Sequence, residues 1–333
     1  MEDLSRRDFV KAALCAAAAS GLAARPMRAD AQDQQQMLRL LFGYPAGGVG
    51  DVICRGLAGK LTGSYAKTVI VDNRPGAAGK LVIDVLKSSP PDGSTLLISP
   101  SSVLAMYPHV YAKLPYDPFS DLVPVSNVCE FVHALAVGPG VPESVKNLSD
   151  FIGWCKENPK QANVANPGEG SLPHFLTLML SKAIGVPLQA VAYRGSSPAV
   201  NDLVGGQVTA MMASEGSFAT FTKGGKVRLL ATSGPARSRF SPNVQTFAEQ
   251  GAKGIVISEW IALFAPAKTP PAVVERASQA ARAGLAQHDL AEQYGSFAVV
   301  PAPSTPSELA AKLRADSDFW GPTIRATGFT PLS

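Results

Sequence analysis

The 333-residue chain is short of the side chains on which metal, redox and hydrolytic chemistry usually depends. It has four histidines, His109, His133, His174 and His288, scattered without metal-ligand spacing. Cys15, Cys54, Cys129 and Cys155 form no C-x-x-C pair, which excludes a zinc ribbon and a thioredoxin-type redox site. There is no Gly-x-Ser-x-Gly elbow, and Ser171 and His174 stand too close along one helix to serve as nucleophile and base. Gly48-Val49-Gly50 is followed by Asp51-Val52-Ile53, so the dinucleotide fingerprint fails. The run from Gly76 to Leu81 lacks the spacing and the terminal Ser/Thr of a phosphate loop. No metal and no cofactor is expected. Charge is sparse as well: 17% charged residues against 46% apolar ones excludes a disordered chain, and a net charge of +4 is too small to draw nucleic acid.

What is present begins with a targeting pattern. Ser5-Arg6-Arg7-Asp8-Phe9-Val10-Lys11 precedes an apolar run over 12–24 and then Ala29-Asp30-Ala31, which has the small-x-small form of a signal-peptidase site. The run is shorter than the roughly 20 residues needed to span a bilayer. The paired arginines resemble a twin-arginine export signal, with a Sec signal carrying a chance Arg pair as the alternative. The mature chain is expected to begin near Gln32 and to be free in the periplasm. Cys54, Cys129 and Cys155 then remain, and they read as small buried apolar residues, although one pair could bridge in an oxidising compartment.

Short apolar runs at 38–42, 68–71, 95–99, 134–137, 162–165, 188–192, 208–212 and 227–232 read as buried strands, separated by helical patterns such as 52–61, 173–184 and 198–203. This wiring predicts an α/β fold with parallel sheets, closed by a helical C-terminal cover over 272–286 and beyond Pro306. Trp154, Trp260 and Trp320 fall in apolar patterns and read as core.

Three strand-to-helix junctions carry the chemistry. The first, 42–51, offers Tyr44, Ala46, Gly47, Gly48, Val49 and Gly50, whose backbone can approach a ligand closely and whose helix start carries partial positive charge. Asp51 reads as a cap, because its charge would repel a carboxylate placed beside it. The second junction offers Gly168, Glu169, Gly170, Ser171 and His174, with Ser171 as a candidate cap and His174 on the same side of the first turn. The third offers Tyr193, Arg194 and Gly195, followed by Ser196-Ser197-Pro198. Ser99, Ser101, Ser214 and Glu215 follow other strands and are weaker candidates, since serines after strands are also ordinary caps. Ligands of open α/β sheets sit beyond the carboxyl ends of the strands, where all of these residues fall. Arg74 reads as a loop brace.

At this point the residues resemble a known family, the periplasmic receptors of tripartite tricarboxylate transporters, also called Bordetella uptake gene proteins. Pro45-Ala46-Gly47-Gly48 with Asp51 and Arg55 is similar to that family's opening block. Asn73-Arg74-Pro75-Gly76-Ala77-Ala78-Gly79 and Pro91-Asp92-Gly93-Ser94-Thr95-Leu96-Leu97 resemble its next two, and the second-domain signatures follow in order at Gly168–Ser171, Tyr193-Arg194-Gly195 and Asp202-Leu203. Thr209 and Arg194 depart from the usual acidic residue and Lys, and Glu169 adds a negative charge beside the proposed site.

The resemblance implies a type II periplasmic binding fold: two doubly wound lobes, 38–128 plus 235–333 and 129–234, joined by two hinge strands. It implies capture of a small carboxylated solute by backbone amides and ordered waters, delivery to membrane permease subunits, a monomeric receptor and no catalysis. A sensory receptor using the same closed shape, or a hydrolase using the same cleft, are the alternatives.

Overall fold

The structure is a computed structural model and describes residues 34–333; the expected export segment and Cys15 lie outside the described residues. Strand β1, Gln35–Phe42, has Leu38, Leu40 and Leu41 fully buried and Phe42 nearly so. Those neighbours of opposite pleat direction are all covered because β1 lies inside its sheet, between β2 (Ala66–Asn73) and β3 (Thr95–Pro100), parallel to both. Helix α1, Val49–Leu61, makes the crossover from β1 to β2 and packs Ile53, Cys54, Leu57 and Leu61 inward.

The parallel expectation holds only in part. Beyond β3 the sheet continues with β9 (Ser258–Pro266) and then β4 (Leu122–Val137), and the pairs β3–β9 and β4–β9 are both antiparallel. The sheets are therefore mixed. The run at 134–137 is only the end of β4, which is 16 residues long. Polar Ser126, Asn127 and His133 interrupt its apolar pattern, yet all three are buried, so hydrophobicity alone understates its length.

β4 serves two sets of partners. Over Leu122–Val132 it pairs with β9, while over His133–Val137 it pairs with β7 (Ala210–Ser214) and, from Ala134, with β8 (Arg228–Thr232). β5 (Asn163–Asn166) runs parallel to β7 and β6 (Gln189–Ala192), and β10 (Val300–Pro301) adds two residues beside β4. The chain returns from β8 to β9 through 233–257. Ser233 ties this return to β4: its N–H donates to the His133 carbonyl at 2.8 Å, and its Oγ accepts from the His133 N–H at 3.0 Å and donates to the Ile257 carbonyl at 2.7 Å. Beside it, His133 Nε2 and Glu259 Oε2 stand 2.9 Å apart, both buried. A polar pair there holds the change of partner in one geometry, because neither group has water as an alternative.

The C-terminal helices cover the sheet as expected. The helix Pro306–Ala326 starts with a capping box in which Thr305 Oγ1 accepts from the Glu308 N–H and Glu308 returns a bond to the Thr305 N–H. Trp260 and Trp320 are buried, whereas Trp154 is only half-buried, stacked on Phe151. Cys54, Cys129 and Cys155 are free and buried.

Candidate functional site

The first loop leaves β1 at Gly43 and exposes Pro45, Ala46, Gly47 and Gly48 before α1 begins. Gly47 has φ +91°, a conformation that a Cβ disfavours, and it turns the chain into the helix. Gly48 is the N-cap and supplies no side chain, so the first-turn N–H groups of Val49 and Gly50 precede the first helical bond, from the Val52 N–H to the Gly48 carbonyl. Those donors stand at the positive end of a 13-residue helix, which suits an anion.

Asp51 occupies the third helical position and is buried. Its Oδ2 accepts from the Gly47 N–H at 3.0 Å and from Arg55 Nε at 2.8 Å, and its Oδ1 accepts from Asn73 Nδ2 at 3.0 Å. Burial by itself would raise its carboxyl, but the bonds from Arg55, Gly47 and Asn73 outweigh it and hold the group below the usual carboxylate range. The sequence places Asp51 as the helix cap, but Gly48 takes the N-cap, and Asp51, at the third helical position, instead ties down the preceding loop through the Gly47 N–H. One expected donor is altered by it: the Gly47 N–H is already occupied, leaving Ala46, Gly48, Val49 and Gly50 of the five.

Tyr44 links this loop to its neighbours. Its hydroxyl and that of Tyr107 both donate to the Ala78 carbonyl, at 3.3 and 3.2 Å, in a turn where Ala77 and Ala78 hold positive φ of 47° and 56°. Burial, and then the Glu259 carboxylate, push the Tyr44 phenol upward, so it is a neutral donor. The Tyr107 ring meets Tyr111 edge-on with centroids 5.1 Å apart, and Lys80 Nζ lies 3.2 Å from the Tyr111 ring centroid. Burial and the charge of Glu169 raise the Tyr111 phenol. The second loop therefore comes near this tyrosine row, and a Cβ on Gly170 would stand 2.9 Å from Val110.

The second loop is more self-contained than its sequence suggested. Gly168 N–H donates to Asn166 Oδ1 (3.2 Å), Gly170 N–H to His174 Nδ1 (3.0 Å) and Ser171 N–H to the Gly168 carbonyl (3.2 Å). Ser171 caps helix α2, Leu172–Ile184, as expected, accepting from the His174 N–H at 3.4 Å. Burial lowers the His174 imidazole while Glu169 opposes the shift, so the ring is neutral at neutral pH and accepts through Nδ1. Its ring also packs edge-on to Phe329. Glu169 itself is exposed.

The third loop is laid against the second, with the Tyr193 N–H on the Asn166 carbonyl and the Gly195 N–H on the Pro167 carbonyl, both at 2.9 Å. Tyr193 Oη donates to Asp202 at 2.7 Å, and Arg194 is exposed. Helix α3 runs Ser196–Val204 with Gly195 as its N-cap and no side-chain cap. Gly195, at φ +110°, takes the cap position because the turn needs a residue without a Cβ. Ser196 and Ser197 begin the helix instead of preceding it.

After β3, Ser99 donates weakly to the Pro100 carbonyl at 3.4 Å, and Ser101 and Ser102 open a π-turn over Ser102–Met106. After β7, Ser214 Oγ bonds Ser217 Oγ at 2.8 Å, and Glu215 lines a separate hollow that shares no residue with the three loops. Arg74 Nε bonds Asp72 at 2.8 Å, a brace as expected. Sequence reasoning left Asn166 out of the site, although it is fully buried at the end of β5 with no partner for Nδ2. An Asn at a strand end before Pro was the available signal.

A profile of the tripartite tricarboxylate transporter family receptor matches residues 53–329. The chain belongs to this receptor family. BugT of Bordetella pertussis is 32% identical to the receptor over 312 residues, covering 93% of this chain and 94% of that protein. The structure of R. palustris Rpa4515 with adipate is similar at a TM-score of 0.84 and 25% identity, covering 91% of this chain and 100% of the other. MatC from Rhodopseudomonas palustris with bound malate follows at a TM-score of 0.78 and 26% identity, covering 86% of this chain and 98% of the other. The receptor thus has the mixed α/β, two-lobed architecture of periplasmic binding proteins, and its family is one of solute-binding receptors.

Proposed function

We propose that the receptor captures a carboxylated organic solute between two lobes in the periplasm and presents it, as a monomer, to the permease subunits of a tripartite tricarboxylate-type transporter. The observation that carries this reading is the first loop: exposed backbone, a cap without a side chain, and N–H donors at Gly48, Val49 and Gly50 on a helix start, with the nearby Asp51 charge already matched by Arg55. Amide donors at a helix start favour anions without adding a mobile charge. Adipate and malate, the solutes of two similar structures, support a dicarboxylate.

In this reading the first loop holds one carboxylate and the solute reaches toward Ser101, Ser102 and the starts of the second and third loops. Lobes at 38–128 plus 235–333 and at 129–234 bend where β4 changes partners and where 233–257 returns, and closure buries the solute. Export by the twin-arginine route and the absence of turnover belong to the same proposal.

Thermal shift and calorimetry on the exported form test it, with adipate, malate and aromatic carboxylates against neutral analogues such as adipamide. A carboxylate at about 100 times its Kd stabilises the fold by about 2.7 kcal/mol. Stabilisation by a neutral analogue and by no carboxylate would remove the proposed solute class, and product formation would establish an enzyme instead. Solute uptake in a deletion strain separates delivery to a permease from signalling.

A further inference from the structure

The pair of His133 and Glu259 stands at the carboxyl edge of the sheet, where the first loop also lies. β9 pairs with β3 as far as Pro100↔Ile261, so Glu259, two residues before Ile261, lies about 7 Å beyond the carboxyl end of β3. On its other side it faces Phe131, at the next-to-last pair before β4 turns from β9 to β7. Side chains alternate along a strand, so Glu259 shares a face with Ile261 and Leu263, which pack in one core with Ile53, Cys54 and Leu57 of α1. That is the face over which α1 and its loop lie. The Tyr44 phenol of this loop feels the Glu259 carboxylate, and β1 and β9 are two inter-strand spacings apart, about 10 Å.

Glu259 is 7% exposed, and its two oxygens differ. Oε2 accepts from His133 Nε2 at 2.9 Å. Nδ1 of that ring is shielded without a partner, so a proton there would have no acceptor, and the ring donates through Nε2 as a neutral imidazole. Oε1 has no hydrogen-bond partner among the described residues, yet it is not one of the side-chain atoms sealed from water. No Lys or Arg among the described residues pairs with Glu259. Lys312 is held at 3.1 Å by Glu130, which stands opposite Trp260 in the register and so points to the other face. A carboxylate so nearly removed from water beside a neutral donor is strongly unfavourable, and a cation reaching Oε1 would offset that cost.

We propose that Glu259 is a specificity-determining residue of the solute site, receiving on Oε1 an ammonium group at the far end of the solute, which is therefore a short ω-amino carboxylate. The inference rests on the carboxylate reading of the first loop and narrows it, because Glu259 would repel a second carboxylate placed beside it. An ammonium supplies three donors, and Tyr44 and Phe131, both half-buried against the α1 core, offer apolar walls for the chain between the two charges. The spacing of β1 and β9 favours an amine at the opposite end of the chain over one next to the carboxylate.

Calorimetric titration of the exported form with hexanoate, adipate and 6-aminohexanoate tests the residue, because the three share a carboxylate and a chain length and differ at the far end. 6-Aminohexanoate is expected to bind about tenfold or more tightly than either, the effect of one charge-assisted hydrogen bond. In Glu259→Gln, which keeps the side-chain shape and an acceptor for His133, its advantage over hexanoate is expected to vanish while hexanoate affinity stays within about twofold of wild type. Cooperative melting establishes that the variant is folded, and the wild-type comparison needs no variant. Hexanoate or adipate binding to the wild-type protein as tightly as 6-aminohexanoate, or a preference that survives in folded Glu259→Gln, would overturn the inference and leave the carboxylate reading standing. Binding of none of the three overturns it as well, and the screen against neutral analogues then decides the carboxylate reading separately.

Discussion

Two neighbouring glycines of the first loop give a paired test in which packing and binding separate. A Cβ on Gly50 would stand 2.4 Å from Cζ and 3.1 Å from Cε1 of Phe42, a ring that is only 4% exposed. Carbon atoms settle at about 3.5–4.0 Å, so in Gly50→Ala the ring must retreat by more than an ångström into a filled core. Such overpacking costs about 1–3 kcal/mol, and the better helix propensity of Ala returns about 1 kcal/mol. A net loss of up to about 2 kcal/mol is expected, or a Tm lower by up to about 4 °C. Gly48→Ala differs in every respect. Nothing lies within 4 Å of the added methyl, and φ −85°, ψ 171° is open to any residue. Its stability is expected to stay within about 0.5 kcal/mol of wild type. The methyl would instead occupy the exposed side of the loop where the proposed solute carboxylate would meet the amides, and on that proposal adipate affinity is expected to fall about tenfold. Urea melts and calorimetry on both variants supply the readouts. A Gly48→Ala protein that is folded and binds adipate as tightly as wild type would refute the first-loop site, and an unperturbed Gly50→Ala would refute the packing argument.

Three further outcomes are expected. Asp51→Asn should destabilise by about 1–3 kcal/mol at pH 7, because the ionised carboxylate accepts from Gly47, Arg55 and Asn73. The folded pKa is depressed, so this contribution is complete above the unfolded value near 4 and disappears as pH falls through the folded value; urea melts whose variant gap failed to narrow below about pH 4 would contradict the assignment. Gly216→Ala would drive a methyl to 1.9 Å from the Phe297 carbonyl oxygen, backbone against side chain, and should cost about 3 kcal/mol, measurable as a large loss of denaturation midpoint. Ellman's reagent should find Cys54, Cys129 and Cys155 unreactive in the folded exported form and all titratable once denatured, and a disulfide detected by mass spectrometry would contradict their free, buried state.

The local elements were readable because their signals are local. The apolar blocks of β1, β3 and β8 and the helix start at Leu172 needed only periodicity and cap chemistry, whereas α1 starts at Val49, ahead of the helical pattern at 52–61, on a glycine cap that offers no side-chain signal. β4 escaped because its buried Ser126, Asn127 and His133 look like loop residues until the partners that satisfy them are known: Ser304 for the Asn127 N–H, Ser233 for that of His133. The site divided in the same way. The exposed glycine loop at a helix start was legible, whereas the occupation of the Gly47 N–H by Asp51, and of the Gly168 and Gly170 N–H groups by Asn166 and His174, depends on side-chain placement that spacing does not reveal.

The amino-acid sequence by itself determined the α/β wiring, the three glycine-bearing junctions, the poverty of catalytic side chains and the family, because each is written in neighbouring residues. Only the tertiary structure decided which amides remain free to meet a solute, that one long strand serves two sets of partners, and that Glu259, buried and held by His133, keeps one carboxylate oxygen without a partner among the described residues. Those are properties of residues brought together from distant parts of the chain, and a hydrogen bond or a desolvated charge exists only once both sides are in place.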